Sequence, residues 1–163
     1  MDSWQFMLLA ERLIANSRDP NPHPAGSGGL AADLRTSISR SYYAIFLTSR
    51  ALLYDLGYRV TKTGICHSVV RRALLESGER DLIRAASEYA TLGEYRRKAD
   101  YDLHDAEAES FERAEEMLEL CQSAYSRLGQ ARIKMGSDPS YSARLIASID
   151  AWLSRDAEKN LWK

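Results

Sequence analysis

Between Leu30 and Leu56 the apolar residues Leu34, Ile38, Tyr42, Ile45, Phe46, Leu52, Leu53 and Leu56 recur at three- and four-residue steps. That period puts them on one stripe of an α-helix about 40 Å long at 1.5 Å per residue, and such a stripe must be covered by other helices. Gly57 follows, a residue suited to ending a helix in the left-handed conformation. The same period predicts a helix over residues 2–16, carrying Trp4, Met7, Leu8, Leu9, Leu13 and Ile14 on its apolar face. Ser17 to Gly29 then concentrates Pro20, Pro22, Pro24, Gly26, Gly28 and Gly29, which predicts a loop.

Further helices are predicted over residues 65–75, stopped by Ser77-Gly78, and over 80–97, where Gly93 is a weak point. Ala106 to Lys134 reads as one long helix, with Phe111, Ala114, Met117, Leu118, Cys121, Tyr125 and Leu128 inward and most glutamates outward. Gly136 to Pro139 breaks it, and Tyr141, Leu145, Ile149, Trp152 and Leu153 mark a last amphipathic helix. No strand-like alternation of useful length occurs. The expected fold is therefore all-α, an up-and-down bundle over residues 1–135 with an additional C-terminal helix over 139–158 of the same domain.

A chain of 163 residues can bury a core without disulfides or metal. Its net charge of −1 does not announce a nucleic-acid binder, so any anion site must come from local clustering. Two cysteines, Cys66 and Cys121, stand far apart, and both are read as reduced, partly buried thiols. A zinc site from Cys66, His67 and Cys121 lacks a fourth ligand, so no metal or other cofactor is expected. The run Phe6 to Ala10 is too short for an export signal or a membrane span, which predicts a cytoplasmic protein.

The chemistry concentrates in Arg97-Lys98-Ala99-Asp100-Tyr101-Asp102-Leu103-His104, where six residues separate an arginine from a histidine. Histidine titrates near neutrality and can take a proton from a ribose 2′-hydroxyl. Arginine stays charged and presents a fork of donors that fits phosphate oxygens. In one continuous helix Arg97 and His104 would share a face about 10 Å apart along the axis. If the helix instead breaks around Asp100-Tyr101-Asp102, with Asp102 or Asp105 capping the next helix, they approach at a junction. Arg96 competes for the phosphate role.

The segments Arg40-Ser41-Tyr42-Tyr43-Ala44 and Arg96-Arg97-Lys98-Ala99-Asp100-Tyr101 together resemble the HEPN superfamily of small helical bundles, in its branch with Arg-x-x-Tyr-Tyr-Ala and Arg-x-x-Ala-Asp-Tyr elements. The resemblance spans about residues 5–130. It implies a bundle of four or five helices, a homodimer with the arginine and histidine near the interface, and metal-independent cleavage of RNA. It also implies a setting in toxin–antitoxin pairs or antiviral defence, often beside a nucleotidyltransferase-like antitoxin. Carried over by position, Arg97 and His104 would be catalytic, Arg96, Lys98 and Tyr101 would bind substrate, and Arg40, Tyr43 and Asp100 would support them. The alternatives are a non-catalytic HEPN module that binds a nucleotide or a protein, and a helical interaction protein that docks through a terminal helix bearing Trp152 and Trp162.

Other residues are read as structural. Tyr42 and Tyr43 are expected to pack with a phenol hydrogen bond at the edge, and Arg35 and Arg40 to pair with Asp100 or Asp102. His67 is expected near a helix start. The acidic face from Asp105 to Glu119 is expected to be solvated and to turn RNA away.

Overall fold

The stripe beginning at Leu34 forms α2 (Gly28–Asp55), a helix of 28 residues that stops where Gly57 takes a φ of +92°. The computed structural model describes residues 2–18, 28–60, 65–155 and 161–162. Besides α2 the chain builds α1 (Ser3–Ser17), α3 (Cys66–Leu75), α4 (Arg80–Tyr101), a 3₁₀ turn (Ala106–Glu109), α5 (Phe111–Ser137) and α6 (Pro139–Arg155). The all-α class holds, with six α-helices among the described residues. Residues 19–27 of the predicted loop and 156–158 of the predicted last helix lie outside the described residues.

Two predicted element assignments need correction. Ala106 to Lys134 is not one helix, because Asp105 caps the 3₁₀ turn by accepting from the Glu107 N–H at 3.0 Å and Ser110 then caps α5 by accepting from the Arg113 N–H at 3.2 Å. Trp162 does not belong to a terminal helix. It lies in β2 (Leu161–Trp162), paired antiparallel with β1 (Arg59–Val60) so that Arg59 faces Trp162. A strand pair of two residues is too short to leave an alternation in the sequence.

The chain forms two compact units, the first of Met1–Ile45 with Glu88–Ser123. Its buried residues include Ala10, Ile14, Leu34, Ile38, Tyr42, Tyr89, Leu92, Met117 and Cys121. Burial pushes the Cys121 thiol up to about 12, with the Glu11 carboxylate adding to the shift. Tyr42 stacks on Tyr89 with ring centroids 5.2 Å apart and hydroxyls 3.2 Å apart. Gly93 makes room for this pair, since a Cβ there would lie 3.2 Å from Tyr42 Cε2. α4 runs through Gly93 unbroken, and the expected weak point is a close approach of ring to backbone. Trp4 and Leu9, predicted inward, are 44% and 42% exposed.

The second unit comprises Phe46–Ser87 with Ala124–Lys163. Leu52, Leu53, Val70, Leu74, Leu82, Leu128, Leu145 and Ile149 are buried in it. The buried Tyr58 donates its hydroxyl to Asp150 Oδ1 at 2.7 Å. Burial first, and the Asp150 carboxylate second, hold that phenol above its ordinary value and keep it a donor. The His67 ring, near the start of α3 as expected, packs on Phe46 with centroids 4.0 Å apart.

Candidate active site at the end of α4

α4 stops at Tyr101, and the last four carbonyls of any helix lack partners within it. Arg35, reaching across from α2, supplies donors to two of them and to two carbonyls just beyond the helix. Its Nη1 donates to the carbonyls of Lys98, Ala99 and Asp102 at 3.3, 3.1 and 2.8 Å. Its Nη2 donates to the Asp105 carbonyl at 3.1 Å, and its Nε donates to Glu109 Oε1 at 2.9 Å. A cation at a helix C-terminus also meets the negative end of the helix dipole. One buried guanidinium thus ties the end of α4 to the turn beyond it, and it does so through main-chain oxygens. The expected pairing of Arg35 with the Asp100 or Asp102 carboxylate is not formed, because the carbonyls and Glu109 take its donors.

The cations of Arg96-Arg97-Lys98 have different fates. Arg96 is an internal strut: its Nε lies 2.6 Å from Asp100 Oδ2, and its Nη2 donates to the hydroxyls of Tyr43 and Tyr101 at 3.1 and 3.3 Å. Its guanidinium also lies 5.2 to 5.9 Å from the ring centres of Tyr42, Tyr43 and Tyr101. Desolvation draws this arginine down, but Asp100 and the two phenols outweigh it and raise its affinity for the proton. Lys98 Nζ sits 3.4 Å from Asp105 and 3.9 Å from Glu107, over the Tyr95 ring at 4.9 Å. Arg97 is exposed and has no hydrogen-bond or ion-pair partner among the described residues.

His104 lies in the turn after α4, exposed, with its side chain likewise without a partner among the described residues. Its main chain is fixed, since its N–H donates to Asp102 Oδ1 at 3.1 Å. The helix does break between Arg97 and His104, at Tyr101, with Asp105 capping the 3₁₀ turn that follows. Partial desolvation tends to raise Asp105, but Lys98 and the Glu107 and Ala108 amides more than offset this, and its carboxyl ends below the ordinary 3.8.

The other named residues fall into supporting positions. Tyr43 and Asp100 hold Arg96, and Tyr101, 72% exposed, closes over it. Arg40 does not meet Asp100 or Asp102; its guanidinium lies 5.7 Å from the Phe6 ring centre. Most of the acidic segment is exposed as expected, and Asp105, Glu107, Glu109 and Glu115 also engage Lys98, Arg113, Arg35 and Arg18. Among the described residues no group of three His, Cys, Asp or Glu side chains gathers to hold a metal ion, and no helix is long and apolar enough to cross a membrane. Sequence reasoning placed Arg35 as a strut at this segment but missed that its partners are main-chain carbonyls and Glu109. The signal was present: Arg35 stands beside Leu34, three residues before Ile38 and seven before Tyr42, on the stripe that is otherwise buried.

A helical bundle carrying an Arg-x-x-Ala-Asp-Tyr strut defines a class, and the family comparison names it. The model of the HEPN domain matches residues 31–130, and the chain belongs to that family. Its superfamily includes RNase toxins and nucleotide-binding modules. No curated protein and no solved structure matches the chain.

Proposed function

We propose that this HEPN-domain chain is a metal-independent endoribonuclease acting in the cytoplasm as a toxin or antiviral effector. The observation that carries the reading is the division of labour at the end of α4. Arg96 and Lys98 are engaged by neighbouring carboxylates, whereas Arg97 and His104 are exposed with side chains that have no partner among the described residues. In the proposed reaction His104 takes the proton of a ribose 2′-hydroxyl, and O2′ attacks the adjacent phosphorus. The bond to the 5′-oxygen breaks, that oxygen takes a proton from solvent, and the products end in a 2′,3′-cyclic phosphate and a 5′-hydroxyl. Arg97 holds the non-bridging oxygens and the charge they gain.

A site this open to solvent gains enclosure if two copies meet at it about a two-fold axis, so the active form in this reading is a homodimer. The deciding experiment expresses wild type and His104→Ala. Growth arrest and RNA cleavage by the wild type alone support the reading, and equal activity of the variant removes His104 from it. The second reading, a non-catalytic module that binds a nucleotide or a nucleotidyltransferase-like partner, draws on the internal commitment of Arg96 and Lys98. It gains if neither form cleaves RNA and such a partner co-purifies.

A further inference from the structure

Two further arginines, Arg12 on α1 and Arg40 on α2, flank the outer face of α1. Trp4, Phe6, Leu8, Leu9 and Arg12 line, with Arg40 of α2, a groove of about 690 Å³. Arg40 Nε is buried without a hydrogen-bond partner among the described residues, and its guanidinium rests 5.7 Å from the Phe6 ring centre. A desolvated N–H with no acceptor is costly, so an acceptor entering the groove at this wall would be favoured. Arg12 is exposed and also has no carboxylate partner among the described residues. Trp4, 44% exposed, offers an indole face at the same place.

We propose that this groove binds single-stranded nucleic acid, with a base stacked on Trp4 and flanking phosphates held by Arg12 and Arg40. Two guanidinium forks suit phosphate oxygens, and an aromatic face between them suits the base that alternates with those phosphates along a strand. The proposal extends the RNA reading of the α4 site, because the two places are linked by contact. The Phe6 ring lies 6.4 Å from that of Tyr43, whose hydroxyl accepts from Arg96 next to Arg97.

Fluorescence anisotropy with a short 2′-O-methyl oligouridylate, which cannot be cleaved through its 2′-oxygen, separates binding from catalysis. Trp4→Ala and Arg12→Ala should each weaken binding about tenfold. Arg12→Ala should also reduce the dependence of log affinity on log salt by about 0.7. Quenching of tryptophan fluorescence by the oligonucleotide should disappear in Trp4→Phe. Both positions are exposed, so these variants carry the test even if Arg40→Gln fails to fold. Wild-type affinity in both alanine variants overturns the proposal, as does a preference for an acidic peptide or anionic vesicles over the oligonucleotide. A His104→Ala protein that binds normally but does not cleave leaves the groove standing. A Trp4→Ala protein that both binds and cleaves normally overturns the groove alone.

Discussion

The guanidinium of Arg35 on α2 reaches the main-chain carbonyl of Asp102 at 2.8 Å, just beyond the last residue of α4. This contact, with its neighbours at Ala99 and Asp105, sets the chain direction between Arg97 and His104. The candidate chemistry thus depends on a residue that never needs to touch substrate.

Arg35→Ala should cost about 3 kcal/mol of stability, because it strands buried carbonyls and leaves Glu109 without its cation. Urea denaturation should show a lower midpoint. Arg35→Lys should recover little of it, since one ammonium cannot address carbonyls and carboxylate in the same geometry. RNA cleavage measured well below the new midpoint should still fall, through displacement of His104. Full activity in a folded Arg35→Lys protein would separate the brace from the site.

Adjacent arginines should respond in opposite ways. Arg96→Lys removes a strut shared by Asp100, Tyr43 and Tyr101 and should lower stability by about 1 to 2 kcal/mol. Arg97→Lys should leave the thermal midpoint within error while reducing cleavage about tenfold or more, because the planar fork is lost although the charge remains. Thermal melts and a cleavage gel on the two variants suffice. A stability loss at Arg97 and none at Arg96 would reverse the assignment.

Gly93→Ala tests the close approach to Tyr42. Alanine favours helix over glycine by about 1 kcal/mol, but its Cβ would meet Tyr42 Cε2 at 3.2 Å. That ring cannot yield easily, being stacked on Tyr89 and edge-on to Tyr43 with centroids 5.2 and 5.4 Å apart. Overpacking costs of about 1 to 3 kcal/mol should win, and the urea midpoint should fall. A rise would mean that the aromatic cluster moves as a unit.

The turn bearing His104 should be acid-resistant. The Asp105 carboxyl is held below its ordinary 3.8, so its contribution is fully present above that value and is lost as pH falls through the lower, folded value. Hydrogen exchange at the Glu107 amide, which donates to Asp105, should stay protected into the ordinary carboxylate range and open only as pH falls below it. Asp105→Asn should abolish that pH dependence. Opening already near neutral pH in the wild type would contradict the Lys98–Asp105 pairing.

The sequence by itself determined the all-α class, the helix starts and stops within a few residues, and the stretch in which the chemistry is sought. Helical period and glycine or proline punctuation are local, so Gly57, Gly78 and Pro139 could be read directly. The candidate motif could be picked out as well, because Arg97, His104 and the Ala-Asp-Tyr element lie on one continuous segment. Tertiary structure alone decided which cations are spent on the fold. Arg96, Arg97 and Lys98 are equivalent as text, yet Tyr43 on α2 and Asp105 beyond the helix claim two of them and leave the third. It also decided that Arg35, 63 to 74 residues away from its partners, closes the end of α4, and that Trp4 faces outward beside Arg12 and Arg40. Such outcomes depend on which donors and acceptors meet after the helices pack, and the spacing of residues along one chain carries no record of that meeting.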